Sequence, residues 1–216
     1  MKIDTLVLGS YQTNCYILRA DETSTDCLII DIGLESGGLI DFLKQENLKP
    51  LAVVFTHGHA DHIAGLNHLQ KKFSGIKVCI HTLDAEALAD PLRNLGSFAG
   101  LNLTTRPADV LLQDDQYIEY ARIRLKVLHT PGHTPGGICL HSSAEQVLFT
   151  GDTLFAGSIG RTDFPYADSG ILLESIKQKI LPLPETTTLY SGHGPKTSLA
   201  NEKKYNPFLQ KLLGKK

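Results

Sequence analysis

The sequence predicts an α/β (α+β) protein built as a four-layer αββα sandwich, two sheets packed face to face with helices outside. Strands, helices, strands and helices follow one another in two similar halves. Each loop rich in His or Asp follows the end of an apolar strand, and no linker or low-complexity stretch divides the 216 residues. Residues 1–216 therefore read as a single domain whose halves share one site.

In chain order, short apolar runs predict strands over 2–8, 15–19 and 27–31, separated by turns at Gly9-Ser10 and around 21–26. Ser36 reads as a helix cap before the stripe Leu39, Ile40, Phe42 and Leu43, which stops ahead of Asn47 and Pro50. A strand over 51–55 opens into Thr56-His57-Gly58-His59-Ala60-Asp61-His62. A helix near 65–73, a strand over 77–81 and a helical stretch over 83–89 follow. Residues 91–106, rich in Gly, Asn, Ser and Thr, read as a mobile connection. From 110 to 150 the pattern is mostly short strands, over 117–120, 122–129, 137–141 and 146–150. The chain closes with a helix near 169–180, a strand over 188–191 and a helical tail over 199–213 interrupted at Pro207.

Composition narrows the function. A formal charge of −2 supplies no basic field for a phosphate backbone, so nucleic acid is not an expected partner. No run is long and apolar enough to span a membrane, and Met1-Lys2-Ile3-Asp4 lacks a signal-peptide pattern, so a cytoplasmic location is expected. Cys15, Cys27, Cys79 and Cys139 are far apart and read as reduced core residues.

The chemistry concentrates in four loops. His57 and His59 lie two apart in extended chain and can converge on one ion, while a helical turn can aim Asp61 and His62 at a second. Thr130-Pro131-Gly132-His133-Thr134-Pro135-Gly136 holds an imidazole in a tight loop. Phe149-Thr150-Gly151-Asp152 and Tyr190-Ser191-Gly192-His193-Gly194-Pro195 each place a ligand directly after a strand. His57, His59, Asp61, His62, His133, Asp152 and His193 divide as three plus three plus one bridge, and only a carboxylate bridges easily, which singles out Asp152. Two divalent ions about 3.5–4 Å apart suit hydrolysis. Imidazole and carboxylate without thiolate suit zinc, iron or manganese, and residue type does not choose among them; zinc is the first expectation for the pair.

These residues resemble a known family. Thr-His-x-His-x-Asp-His, Pro-Gly-His-Thr, Thr-Gly-Asp and Gly-His-Gly together form the motif set of the metallo-β-lactamase-fold hydrolases, over nearly the whole chain. The resemblance narrows to the short bacterial type II glyoxalases (hydroxyacylglutathione hydrolases) through Gln12-Thr13-Asn14, Gly160-Arg161-Thr162-Asp163-Phe164-Pro165 and Asn206-Pro207-Phe208. It implies that His57, His59 and His133 bind one metal, that Asp61, His62 and His193 bind the other, and that Asp152 bridges. It further implies that Asp61 orients the nucleophile, a hydroxide shared by the ions that attacks a small-molecule thioester such as S-lactoylglutathione. Arg161 falls where longer members carry a basic residue that contacts glutathione. Those members also add a C-terminal helical domain, whereas only some twenty residues follow Gly194-Pro195 here. Asp31-Ile32-Gly33 stands in place of the family's usual Asp-Pro-Gly.

Two alternatives share the motifs. An iron-dependent persulfide dioxygenase would use only His57, His133 and Asp152, and a lactonase or β-lactamase would use the same metals with another pocket. His68, His81, His129 and His141 read as structural or surface histidines, and Gly65, Gly132 and Gly151 as turn and packing residues. Arg161 has a second reading, as a clamp on its own loop through Asp163. Lys203, Lys204, Lys211, Lys215 and Lys216 read as a solvated face and tail.

Overall fold

A computed structural model describes residues 1–214, so Lys215 and Lys216 lie outside the described residues. The first sheet has six strands in the order β1 (Lys2–Leu8), β2 (Thr13–Arg19), β3 (Asp26–Ile30), β4 (Lys49–Val54), β5 (Lys77–His81) and β6 (Val110–Leu112). Its first three strands pair antiparallel and the rest are parallel. Crossovers run through α1 (Gly37–Gln45), α2 (Ala60–Ile63) and α3 (Leu66–Lys72). The second sheet contains β7 (Tyr117–Tyr120), β8 (Ile123–His129), β9 (Ile138–Ser142) and β10 (Val147–Gly151). A separate hairpin, β11 (Leu154–Phe155) with β12 (Ser158–Ile159), precedes α4 (Ser169–Ser175). Then β13 (Thr188–Ser191) and β14 (Thr197–Ser198) complete the second sheet, and α5 (Leu199–Tyr205) and α6 (Pro207–Leu212) end the chain.

Alternation along the strands explains the layers. Side chains point to opposite faces in turn, so Tyr16 and Leu18 of β2 face the second sheet while Cys15 and Ile17 face the helices. Between the sheets, Leu28, Ile30, Val54, Leu125, Leu140 and Phe149 form a continuous core. Outside the first sheet, Ile29, Val53 and Val78 pack on Leu39, Leu43, Leu66 and Leu69. Outside the second, Cys139, Leu148 and Leu189 pack on Leu172, Ile176, Leu199 and Leu209. A strand covered on both faces is buried at every position, as β2 is, and its middle, Cys15 to Leu18, is apolar without alternation. This is the αββα sandwich read from the sequence.

Local departures have local causes. The fourth strand starts at Lys49 rather than 51, with Pro50 opposite Cys27 at a register shift, where its missing N–H does least harm. Ser36 precedes α1 but makes no side-chain cap bond, because its hydroxyl lies 3.2 Å from His68 Nδ1 instead. The stretch 169–180 is α4 followed by a π-helical turn, Ile176–Ile180. In the tail, Asn206 accepts from Phe208 N at 3.0 Å and Pro207 opens α6, so the break is a capped restart.

Residues 91–106, read as a mobile connection, are pinned instead. Asn94 is fully buried; its amide donates to the carbonyls of Ala87 (2.9 Å) and Leu103 (3.0 Å) and its Oδ1 accepts from Gly96 N at 2.8 Å. A polar composition marks a loop; it does not register one asparagine that satisfies the loop's backbone from within. The two-residue strands of the 154–159 hairpin also escaped the sequence reading, being too short to show a period.

Candidate metal centre

The carboxyl ends of β3, β4, β8, β10 and β13 lie at one edge of the sandwich, since β3 and β4 are parallel, as are β10 and β13. The loops leaving these ends carry Asp31, residues 56–62, His133, Asp152 and His193. Backbone bonds join the sheets there, from Ile138 N to Thr56 O and from Asn14 N to Gly192 O, both 2.8 Å. All seven expected ligands meet at this edge.

They form two triads. His57 Nε2 lies 3.1 Å from His59 Nδ1, and His133 Nε2 lies 2.9 Å from the same atom. His62 Nε2 is 3.2 Å from His193 Nε2, and Asp61 Oδ2 is 3.2 Å from His193 Nε2. Asp152 stands between them, Oδ1 3.4 Å from His62 Nε2 and Oδ2 3.6 Å from both His133 Nε2 and His193 Nε2. His57, His59 and His133, and separately Asp61, His62 and His193, could each hold a metal ion; so could His57, His62 and Asp152.

Three features show that the residues fit cations. The Nδ1 atoms of His62, His133 and His193 face Asp31 Oδ2 (2.9 Å), Arg161 O (2.7 Å) and Tyr11 O (3.1 Å), so the ring protons sit there and each Nε2 presents a lone pair. Lone pairs facing each other near 3 Å repel unless a cation lies among them. Asp152 Oδ1 is buried without a hydrogen-bond partner. Around His62, burial disfavours charge, yet the carboxylates of Asp61, Asp152 and Asp31 outweigh it and raise its pKa, so this point of the site calls for positive charge.

The remaining titrations agree. Burial pushes His57 well below its ordinary range, with His62, His59 and His133 adding to the effect. Burial and His133 hold His59 at about 3. Burial alone would raise Asp152, but His62, His133 and His193 hold it below the usual carboxylate range. His57 and His59 are thus neutral imidazoles and the central carboxylate is ionised.

Two carboxylates that sequence reasoning missed hold the loops. Asp31, at φ 56°, accepts from Thr56 N (2.8 Å) and Thr56 Oγ1 (2.7 Å) as well as facing His62. Asp84 is buried and accepts from Gly58 N (2.9 Å), Thr134 Oγ1 (2.7 Å) and Gly136 N (2.6 Å), tying the 56–62 loop to the His133 loop. Neither lies in a His-rich motif; the lone signal was Asp31 directly after an apolar strand. The histidines set aside stay outside the centre: His68 bonds Ser36, and His81 stacks on His129 with ring centroids 4.1 Å apart.

Arg161 points its guanidinium at Asp163, with Nε–Oδ1 at 3.0 Å and Nη2–Oδ2 at 2.8 Å, and lies 4.4 Å over the Phe164 ring. Its loop-clamp reading thus has a geometric basis, and its backbone carbonyl orients His133. A cavity of about 570 Å³ opens beside the centre, with Arg161 on one wall.

A buried His/Asp cluster suited to divalent metals, at the strand ends of an αββα sandwich, defines a metallo-hydrolase class of protein. The Metallo-beta-lactamase superfamily model matches residues 8–193, and the chain belongs to that superfamily. It is 39% identical to the probable metallo-hydrolase YqgX of Bacillus subtilis, over 97% of this chain and 98% of that one. It is 34% identical to the hydroxyacylglutathione hydrolase GloC of Haemophilus influenzae, over 97% and 98%. Among solved structures, the BLEG-1 B3 metallo-beta-lactamase superposes with a TM-score of 0.91 at 43% identity, covering 96% of this chain and 99% of that one. No described helix is long and apolar enough to cross a membrane.

Proposed function

We propose that this centre binds two divalent metal ions, zinc first and iron or manganese as alternatives, and hydrolyses a small-molecule thioester. The observation that carries the proposal is Asp152, ionised and set between two ligand triads with its buried Oδ1 unpartnered. In this reading His57, His59 and His133 hold one ion, Asp61, His62 and His193 the other, and Asp152 both. Bound there, the ions supply charge that acidifies water and polarises a carbonyl oxygen.

The chain's own groups do the rest. Asp61 is the less buried of the two ligand carboxylates and lines the cavity, with Thr13 Oγ1 donating to its Oδ2 at 3.5 Å. It is placed to hold a water and take its proton as the water turns toward a carbonyl carbon in the cavity. Asp31, Arg161 O and Tyr11 O fix the rings that surround that water, so little reorganises during attack. A thiolate leaves without acid assistance, its conjugate acid having a pKa near 8.5, which makes a thioester the bond best matched to this site. Arg161 enters through its carbonyl; its guanidinium can meet a substrate carboxylate only if released from Asp163.

S-lactoylglutathione is the first thioester to test, because the Haemophilus influenzae relative is named for that class of reaction. A second reading, β-lactam opening, is favoured by the likeness to a B3 metallo-beta-lactamase. The test is metal analysis with parallel assays on S-lactoylglutathione and a chromogenic cephalosporin. Two metals per chain with faster thioester turnover is the expected result. Cephalosporin turnover without thioester cleavage would replace the first reading by the second. One iron per chain with oxygen uptake on glutathione persulfide would return the dioxygenase.

A further inference from the structure

Part of the cavity wall is built by a segment that lies outside the ligand loops. Leu95, Phe98, Ala99 and Leu101 line the cavity there, and Phe155 and Phe164 line it as well. Leu95 sits at φ 62°, a left-handed conformation unfavourable for a leucine, and is held there by its neighbours: Asn94 is anchored from within the loop, and Asn94 O accepts from Ala60 N at 2.7 Å, between His59 and Asp61. A costly backbone state is thus fixed to the ligand loop and sets an apolar side chain in the cavity. Phe98, 73% exposed, lies at the same wall.

Charge points the same way. Apart from the histidines, Arg161 is the one cation lining the cavity among the described residues, and Asp163 already holds two of its nitrogens. Of the lining carboxylates, Asp61 and Asp152 belong to the ligand set and Asp163 is the one that holds Arg161. Away from the ligand set, a carrier with carboxylates of its own meets apolar walls and an arginine that is already paired. We propose that the arm of the substrate beyond the scissile carbonyl is apolar and uncharged, and that Leu95 and Phe98 form its subsite. The bond broken is taken from the thioester reading; the subsite is not.

The test uses the metal-loaded protein with lactoyl and octanoyl thioesters of glutathione and of N-acetylcysteamine, together with a lactoyl thioester of benzyl thiol. An apolar acyl chain or an apolar thiol is expected to raise kcat/KM over lactoyl-N-acetylcysteamine, the two arms showing which side of the carbonyl occupies the wall. Glutathione is expected to add nothing over N-acetylcysteamine for a given acyl group. Phe98→Ala is expected to lower kcat/KM for the favoured arm about tenfold through KM, and to lower it for lactoyl-N-acetylcysteamine by much less. Leu95→Asn, which tolerates the left-handed backbone, is expected to act likewise. A preference for S-lactoylglutathione that Arg161→Ala abolishes would overturn the proposal, as would apolar arms with no advantage. Should none of the thioesters be cleaved, calorimetric titration with the amide isosteres of the octanoyl and benzyl compounds decides: binding weakened by Phe98→Ala sustains the subsite and retires only the thioester, and binding indifferent to Phe98 overturns it.

Discussion

At the scale of single residues, the centre depends on atoms that are not ligands. The Asp31 carboxylate faces His62 Nδ1 at 2.9 Å and fixes both the ring's orientation and its tautomer. Asp31→Asn keeps the shape but presents an amide that can donate where the ring also donates, so metal affinity is expected to fall about 10- to 100-fold, measured by competition with a chromogenic chelator. Asp152→Ala is expected to remove hydrolysis and lower metal content together, because one side chain serves both triads; a variant retaining two metals and most of its activity would place Asp152 outside the centre. His59→Ala and His193→Ala separate the chemistries. Both are expected to be severely impaired in a two-metal hydrolase, whereas a one-iron site built on His57, His133 and Asp152 needs neither.

At the scale of elements, the His133 loop is held by both ends of α4. Asp168 N donates to Gly132 O at 2.8 Å and Ser175 Oγ to Pro131 O at 2.8 Å. Gly132 has φ 128°, and a methyl group there would collide with the backbone of Leu172. Gly132→Ala must therefore push α4 off the sheet or move His133, and a loss of about 2 kcal/mol or more is expected by urea unfolding, with weaker metal binding. At the C-terminal end, buried Glu202 accepts from Gly157 N (2.8 Å) and Thr197 Oγ1 (2.7 Å), and Asn206 donates to Ser158 O at 3.0 Å. The short tail thus fixes the hairpin that carries Phe155 to the cavity, which gives Asn206-Pro207-Phe208 a structural role.

At the scale of the whole molecule, the two sheets meet at the site edge and at the His81–His129 stack, which joins the end of β5 to the end of β8. Burial and then His129 lower His81 from 6.5 to about 4. Between those values the unfolded chain binds a proton that the folded chain refuses, so this contribution is full above pH 6.5 and is lost as pH falls toward 4. His81→Asn, whose side-chain oxygen can still accept from Leu83 N, is expected to narrow its stability deficit against wild type as pH drops through that window. Urea midpoints of metal-free protein at pH 7 and pH 4.5 check this, and an unchanged difference would show that the stack does not titrate.

The layer order and the seven candidate ligands were legible in the sequence because both are local signals: strands buried on two faces carry unbroken apolar runs, and each candidate lies in the loop or first helical turn that follows a strand. Spacing grouped His57 with His59 and Asp61 with His62, but the joining of His133 to the first pair and His193 to the second was read only through family resemblance, since it depends on which strand ends are neighbours across two sheets. Asp31 and Asp84 were not legible as organisers of the centre. Each acts on residues 25 to 52 positions away, and an isolated aspartate in a sequence gives no sign of its acceptors' targets. The same holds for residues 91–106, whose polar composition concealed a cavity wall fixed by one buried asparagine. Sequence alone determined the ligand chemistry, because side-chain type carries it; tertiary structure decided what orients those ligands and what faces them, because both arise from contacts distant along the chain.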